Sequence, residues 1–411
     1  MSTSLASRWQ WSRHRRGVLI TLFLVLATIA SAQVNAVYIE NNVGQVPNKN
    51  SILALKNDGT GNLTPIAPGQ FLTNGTGVFV TPKVGSPSLQ ADGEVVVNAA
   101  GTLLLAVNGG SNTISVFGIS NTGVLTLMST TPFPSLGSDP VSIGLDENSP
   151  AGAYVTVVNQ ASDPAQPGQT PNIVGFFLDE TTGTLTSANT SVTYPMDSLP
   201  AQALASPSGK FEFIVQFMGG GSFCSFSVGA AGLLVANNCF LPNVGPAFLG
   251  AAVHPKQRAV YVGQPPVSLI SVFTYNPPGN LAFQRDIANP GSLICWLTTN
   301  KAGTRLYTAE SGATGVAGTV TVYDISGGNF IKPVQLQHIT LISNGANITN
   351  LKLDPTETFL YVLAVNESGT AANYVHVASV ASDGTLTEIV SPLKLPIHSG
   401  EIPQGLAVVM H

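Results

Sequence analysis

A glycine, one further residue and an apolar residue recur seven times along this chain. The motif appears as Gly61-Asn62-Leu63, Gly123-Val124-Leu125, Gly183-Thr184-Leu185, Gly232-Leu233-Leu234, Gly279-Asn280-Leu281, Gly328-Asn329-Phe330 and Gly384-Thr385-Leu386. Most copies follow a strand-like run, such as Thr113–Ile119, Ile173–Leu178, Leu269–Tyr275, Thr319–Ile325 or Tyr374–Val380. Glycine supplies the positive φ that a tight hairpin needs, so each copy predicts a turn with a new strand beginning on the apolar residue. Upstream of each turn lies a strand centred on Tyr, Phe or Leu: Val37-Tyr38-Ile39, Leu104-Leu105-Ala106, Ala153-Tyr154-Val155, Glu212-Phe213-Ile214, Val260-Tyr261-Val262, Leu306-Tyr307-Thr308 and Leu360-Tyr361-Val362. A further strand precedes most of these. Seven units of four strands, a to d, predict an all-β fold, a seven-bladed propeller in which radial repetition protects the sheet edges.

The two ends of the chain fit a closed ring. The first unit begins on a b-type strand at Val37 and lacks strand a. The C-terminal Pro403–Val409 resembles the a-strands Pro200–Ala205 and Pro246–Val253 and has no b-strand after it. The C-terminal strand is therefore expected to complete the N-terminal blade. Longer connections at Leu72–Asp92, Gln160–Pro171, Pro195–Leu199 and Gly312–Gly318 read as variable loops. No interdomain linker is visible, so residues 33–411 are expected to form a single domain.

Residues 1–32 read as a secretory signal peptide. Arg8, Arg13, Arg15 and Arg16 precede the apolar run Gly17–Ile29, and Ala30-Ser31-Ala32 offers a cleavage site; an uncleaved anchor is the alternative. The protein is then expected to be secreted or periplasmic. Removing this segment leaves 12 basic against 21 acidic residues. An acidic chain without basic clusters would gain little from phosphate contacts, which excludes nucleic acid and any membrane beyond the signal segment as expected partners. A monomer is expected. Cys224 and Cys239 flank the turn Gly229–Gly232 on adjacent strands, where either a disulfide or two buried thiols would fit an exported protein; Cys295 is left over. Three cysteines without a CxxC pair, and Asp139, Asp146 and Asp354 without clustering, predict neither metal nor cofactor.

The strand order, the glycine hairpins and the Leu-Tyr-Val strands resemble the seven-bladed lactonase family of 6-phosphogluconolactonase and muconate-lactonising propellers. In enzymes of that family one blade reads Gly-Pro-Arg-His, then an apolar residue, any residue and His-Pro, then Tyr-Val-x-Asn-Glu. The resemblance implies that the Arg, His and Glu are catalytic or substrate-binding. Here Gly245-Pro246, His254-Pro255 and Tyr261-Val262-Gly263-Gln264 match the frame, whereas Ala247, Phe248 and Pro265 occupy the three reactive positions. Lactone opening needs an acid or base and a donor for the developing oxyanion, which these side chains lack. His254 is expected to be a solvated turn residue, on the face that also carries Lys210, Lys256, Arg258, Lys301 and Arg305.

Each b-strand ends in a polar residue: Glu40/Asn41, Asn108, Asn159/Gln160, Gln216, Gln264, Glu310 and Asn366/Glu367. Ring symmetry would gather them at one channel mouth. Asn108, Asn159, Gln216, Gln264, Glu310 and Asn366 are thus candidate ligand-binding groups, and Glu310 and Glu40 are candidate acid/base groups. The alternative is that they cap strand ends and tie blades together. No Lys or Arg shares this register, which argues against a phosphorylated substrate. Two functions remain open. One is a catalytically degenerate propeller binding a small polar molecule, a glycan or a protein. The other is a hydrolase of an unphosphorylated lactone or related ester.

Overall fold

A computed structural model describes residues 34–78, 91–245, 247–312, 318–342, 346–366, 372–397 and 401–411. The expected signal peptide lies outside the described residues. Seven antiparallel sheets follow one another around a ring. Strands a to d are Gln404–Met410, Asn35–Glu40, Ser51–Asn57 and Leu63–Leu72 in blade 1, and Val95–Val97, Leu103–Asn108, Thr113–Ile119 and Leu125–Leu127 in blade 2. They are Pro140–Ser149, Gly152–Asn159, Asn172–Asp179 and Thr184–Thr193 in blade 3, and Pro200–Ala205, Phe211–Gln216, Phe223–Val228 and Leu234–Phe240 in blade 4. Blade 5 has Ala251–Val253, Ala259–Gln264, Leu269–Tyr275 and Leu281–Ala288; blade 6 has Ile294–Thr299, Arg305–Glu310, Thr319–Asp324 and Val334–Thr340. Blade 7 has Asn347–Leu353, Phe359–Val365, Tyr374–Val380 and Leu386–Glu388. In blades 2 and 7 a short extra strand, Phe133–Pro134 or Leu393–Lys394, continues the outer edge.

The a-strands of neighbouring blades touch around the axis, so strand a is innermost. The ring closes as expected: the C-terminal strand pairs antiparallel with Asn35–Glu40, setting Ala407 opposite Tyr38 and Val409 opposite Ala36. Alternation along each b-strand sends one set of side chains into the contact with the preceding blade and the other into the next. Val37 and Ile39 pack with Tyr361 and Leu363 of blade 7, while Tyr38 packs with Leu104 and Phe117 of blade 2.

The central tyrosines explain why these units recur as a set. Each is fully buried, and all but Tyr361 donate the hydroxyl to a carbonyl in the c–d connection of the next blade, as Tyr38 does to Gly123 at 2.9 Å, Tyr154 to Gly232 at 2.8 Å and Tyr307 to Gly384 at 3.0 Å. Tyr361 completes the circle by accepting from Asn57 Nδ2 of blade 1 at 2.7 Å. The turn glycine is required twice over. Gly123 has φ +79°, and a Cβ there would lie 2.7 Å from Ile66 Cδ1 of blade 1. Blade 6 departs from the expectation. Gly328 is not its positive-φ residue; Gly327 is, with φ +51°, and Gly327–Ile331 forms a short 3₁₀ turn that delays strand d to Val334. Phe330 still offers its carbonyl to Tyr261, so the interblade bond survives the altered turn.

Cys224 and Cys239 stand directly opposite each other on strands c and d of blade 4 and are joined by a disulfide. Cys295 is buried and takes no part in the disulfide; its Sγ lies 3.0 Å from Ser311 Oγ.

Candidate functional site

The starts of the a-strands and the ends of the b-strands lie at one face of the disc, with the a–b turns at the other. Glu40, Asn108, Asn159, Gln216, Gln264 and Glu310 are the final residues of their b-strands, as expected, and Asn366 follows its strand directly. They do not form an open mouth. The first six are buried, none of them lines the axial cavity, and strand a stands between each and the axis. Pairing of the b-strand on both sides draws its last side chain into the sheet's own polar contacts.

Glu310 shows this best. Asn289 Nδ2 donates to Oε1 at 2.9 Å, the Thr308 hydroxyl bonds the same oxygen, and Thr319 Oγ1 donates to Oε2 at 2.8 Å. Burial raises its pKa to about 7, and these hydrogen bonds pull in the opposite direction. Glu40 accepts from Asn50 Nδ2 at 2.6 Å, and Asn50 also donates to Asn108 Oδ1 at 3.0 Å, a chain that joins blades 1 and 2. Burial pushes Glu40 up to about 8, so it is largely protonated at neutral pH. Gln264 donates to Ser271 Oγ at 2.7 Å and to Asp286 Oδ1 at 3.1 Å within blade 5. Gln216 bonds Ser222, and Asn159 donates to the Ser135 carbonyl at 3.2 Å. The Asn366 amide donates to Asn373 Oδ1 at 2.7 Å. Only Glu40 and Asn108 among the predicted residues are brought together, through Asn50.

The three family positions sit in the wall between blades 4 and 5. Ala247 and Phe248 are buried, and the Phe248 ring packs on Phe223 and Phe273, with centroids 6.5 and 5.9 Å away. Pro265 opens a 3₁₀ turn, Pro265–Val267. His254 occupies the a–b turn as expected, but it is not solvated. It is 2% exposed and packs against Tyr261 and Phe330, and its Nδ1 accepts from the Lys256 and Gln257 amides at 3.1 and 3.0 Å. The apolar floor of the turn buries the ring, and desolvation lowers its pKa, keeping it neutral.

The axis itself holds a polar group that sequence reasoning missed. A cavity of about 290 Å³ is walled by the a-strands of blades 1, 2, 3, 4 and 7, mostly through Val, Leu, Ala and Ile. At the end nearest the strand starts, Asp92 accepts from Asn350 Nδ2 of blade 7 at 3.0 Å and from Gln202 Nε2 of blade 4 at 3.1 Å. Lys352 Nζ approaches Asp92 Oδ2 at 3.7 Å, with its side chain 35% exposed. Gln202 Oε1 in turn accepts from the Ala251 amide of blade 5 at 2.7 Å, so Asp92 is tied to both sides of the ring. Two residues on, Glu94 is fully buried, and neither carboxyl oxygen has a hydrogen-bond partner. Burial, with the Asp92 charge next, raises its pKa well above the carboxylate range and keeps it protonated. The cavity thus presents a carboxylate and an ammonium beside apolar walls, with a proton-bearing carboxyl close to Asp92. This arrangement suits a small molecule carrying hydroxyl or carbonyl groups. Asp92 closes the variable 72–92 connection, where no motif marks it. Two acids, Asp92 and Glu94, just before an innermost strand were the available signal. Among the described residues no cluster of His, Cys, Asp and Glu could hold a metal ion.

Residues 26–201 match the family described as Lactonase, 7-bladed beta-propeller. The stretch aligned with the family's reactive blade, 245–265, lies beyond that match. No curated protein matches the chain. Among solved structures it is similar to a candidate 6-phosphogluconolactonase from Bacteroides uniformis, at 16% identity and TM-score 0.67, over 92% of this chain and 99% of that one. It is similar also to a candidate 6-phosphogluconolactonase from Bacteroides fragilis, at 14% identity and TM-score 0.66, over 93% and 99% of the two chains. The periplasmic gluconolactonase of Pseudomonas aeruginosa is likewise similar, at 13% identity and TM-score 0.66, over 92% and 99%. At these identities the structures speak for the fold, and the family match speaks for residues 26–201. The resemblance read from the strand pattern is therefore met at the level of fold and of partial sequence match: the chain is a seven-bladed β-propeller whose residues 26–201 match the lactonase family.

Proposed function

We propose that this is an exported lactonase-family propeller that binds a small, unphosphorylated polar molecule in its axial cavity, without the family's Arg, His and Glu chemistry. The observation that carries this reading is the Asp92–Lys352 pair facing the 290 Å³ cavity. The strand-end groups, by contrast, are consumed by hydrogen bonds within and between blades. Among the described residues Lys352 is the one cation lining the cavity, and it is already paired with Asp92, which disfavours a phosphate. The disulfide in blade 4 fits an oxidising compartment and supports export.

One observation favours lactone hydrolysis as a second reading: the buried Glu94, neither of whose carboxyl oxygens is hydrogen-bonded, stands two residues from Asp92. In that reading Asp92 takes a proton from the attacking water and Lys352 steadies the oxyanion. Asp92 then returns that proton to the ring oxygen as the acyl–oxygen bond breaks, leaving a hydroxy acid. The test uses residues 33–411 with a panel of sugar lactones and their hydroxy acids. Binding is followed by calorimetry and acid release by pH-stat. Binding without acid release that is lost in Lys352→Met and Asp92→Asn supports the binding reading. Acid release that disappears in Glu94→Gln and Asp92→Asn, with circular dichroism unchanged, overturns it in favour of the hydrolase. If neither binding nor acid release depends on these residues, the cavity is not the site.

A further inference from the structure

A second pocket, of about 240 Å³, lies on the a–b turn face between blades 4 and 5 and shares no residue with the axial cavity. Its lining brings together Lys210 from one a–b turn and Lys256 and Arg258 from the next. All three side chains are exposed, and among the described residues none forms a salt bridge or a side-chain hydrogen bond. Among the described residues no Asp or Glu lines the pocket. In a domain with nearly twice as many acids as bases, three unpaired cations around one depression are not an average surface. Like charges held this close repel one another, and the arrangement is relieved by an anion.

The pocket is built, and does not depend on flexible side chains alone. Pro207, Pro255 and Pro277 stiffen its rim. His254 Nδ1 fixes the turn that carries Lys256 and Arg258 by accepting two of its amides. Tyr275 forms part of the wall, 6% exposed, held edge-on to Phe211 at 5.8 Å. Its amide donates to the Arg258 carbonyl at 3.1 Å, so the backbones that carry the ring and the guanidinium are tied together. Among the described residues nothing bonds the Tyr275 hydroxyl, which leaves a phenolic donor beside three cations.

We propose that this pocket binds an oxyanion, a carboxylate or phosphate carried on a body no larger than a monosaccharide. Arg258 grips two oxygens, Lys210 and Lys256 neutralise the charge, and the Tyr275 hydroxyl donates to a remaining oxygen. The site is independent of the axial cavity, so it stands whichever reading of that cavity holds.

Thermal unfolding and calorimetry would be run with sodium phosphate, glucuronate and gluconate against sodium chloride at matched ionic strength, on the protein and on Arg258→Met, Lys256→Met and Tyr275→Phe. An oxyanion that binds the native state raises the melting temperature with its concentration. The expected result is a rise with phosphate or a sugar acid above that with chloride, and affinity falling about tenfold or more in Arg258→Met. Preference for phosphate or for the sugar acids identifies the source of the anion, and either supports the site. Shifts equal to those with chloride, or equal in the protein and Arg258→Met, overturn the proposal. Because Lys256 and Arg258 are exposed, their variants are expected to melt normally without ligand, which separates lost binding from lost folding.

Discussion

Glu310 should make the fold less stable as pH rises, and Glu310→Gln should remove that share. Its pKa moves from an ordinary 4.5 to about 7 in the folded protein because burial penalises the charge more than Asn289, Thr308 and Thr319 reward it. A carboxyl with a raised folded pKa holds its proton more tightly in the native state. Its contribution is therefore complete below the unfolded pKa and is lost as pH climbs toward 7. At 1.36 kcal/mol per pKa unit the loss is about 3 kcal/mol. Glu40, pushed to about 8, and Asp146, pushed to about 6, act in the same direction. Glutamine at 310 can mimic the protonated carboxyl, with Oε1 accepting from Asn289 and Thr308 and Nε2 donating to the Thr319 hydroxyl. Urea denaturation at pH 5 and pH 8 measures both proteins. The native protein should be clearly more stable at pH 5, and the gap between the two pH values should shrink by about 2.5 kcal/mol in the variant, or roughly 3 °C in melting temperature, part of the loss lying below pH 5. A native protein more stable at pH 8, or equal pH dependence in the two proteins, would refute the reasoning.

Two further outcomes follow from ring closure. Deleting residues 402–411 removes the innermost strand of blade 1 together with the buried Ile402, Leu406, Val408 and Val409. At about 1.5–3 kcal/mol each this is of the order of the whole stability of a domain, so the truncated chain should be recovered unfolded or aggregated by circular dichroism and size exclusion. Tyr307→Phe deletes the bond to the Gly384 carbonyl and leaves that acceptor buried; it should cost about 1–2 kcal/mol in urea denaturation, whereas Tyr374→Phe, whose ring is partly exposed, should cost less.

The fold was legible because a propeller writes itself in local signals. A hairpin glycine such as Gly123 must meet two demands within its own neighbourhood: positive φ and no Cβ against the preceding blade. A tyrosine such as Tyr38 repeats at the same place in the unit because every blade contact has the same shape. Even the one misread turn, at Gly328, lay within a residue of the glycine that bends the chain. The site obeys no such period. Symmetry placed Glu310, Gln264 and Asn108 correctly in the strands, but those positions are equivalent because they serve the same structural purpose, closing off strand ends inside the sheet. A ring of seven similar positions is better suited to holding seven blades together than to recognising an asymmetric ligand. A binding group has to break the repeat, as the proposed one, Asp92, does through its partners. Its partners Gln202 and Asn350 are 110 and 258 residues away in sequence and come from blades 4 and 7. No spacing rule links them, because what brings them together is the closure of the ring on its axis. In a propeller of this kind, the residues most worth testing are the polar ones just before an innermost strand in a single blade, where the other blades have none.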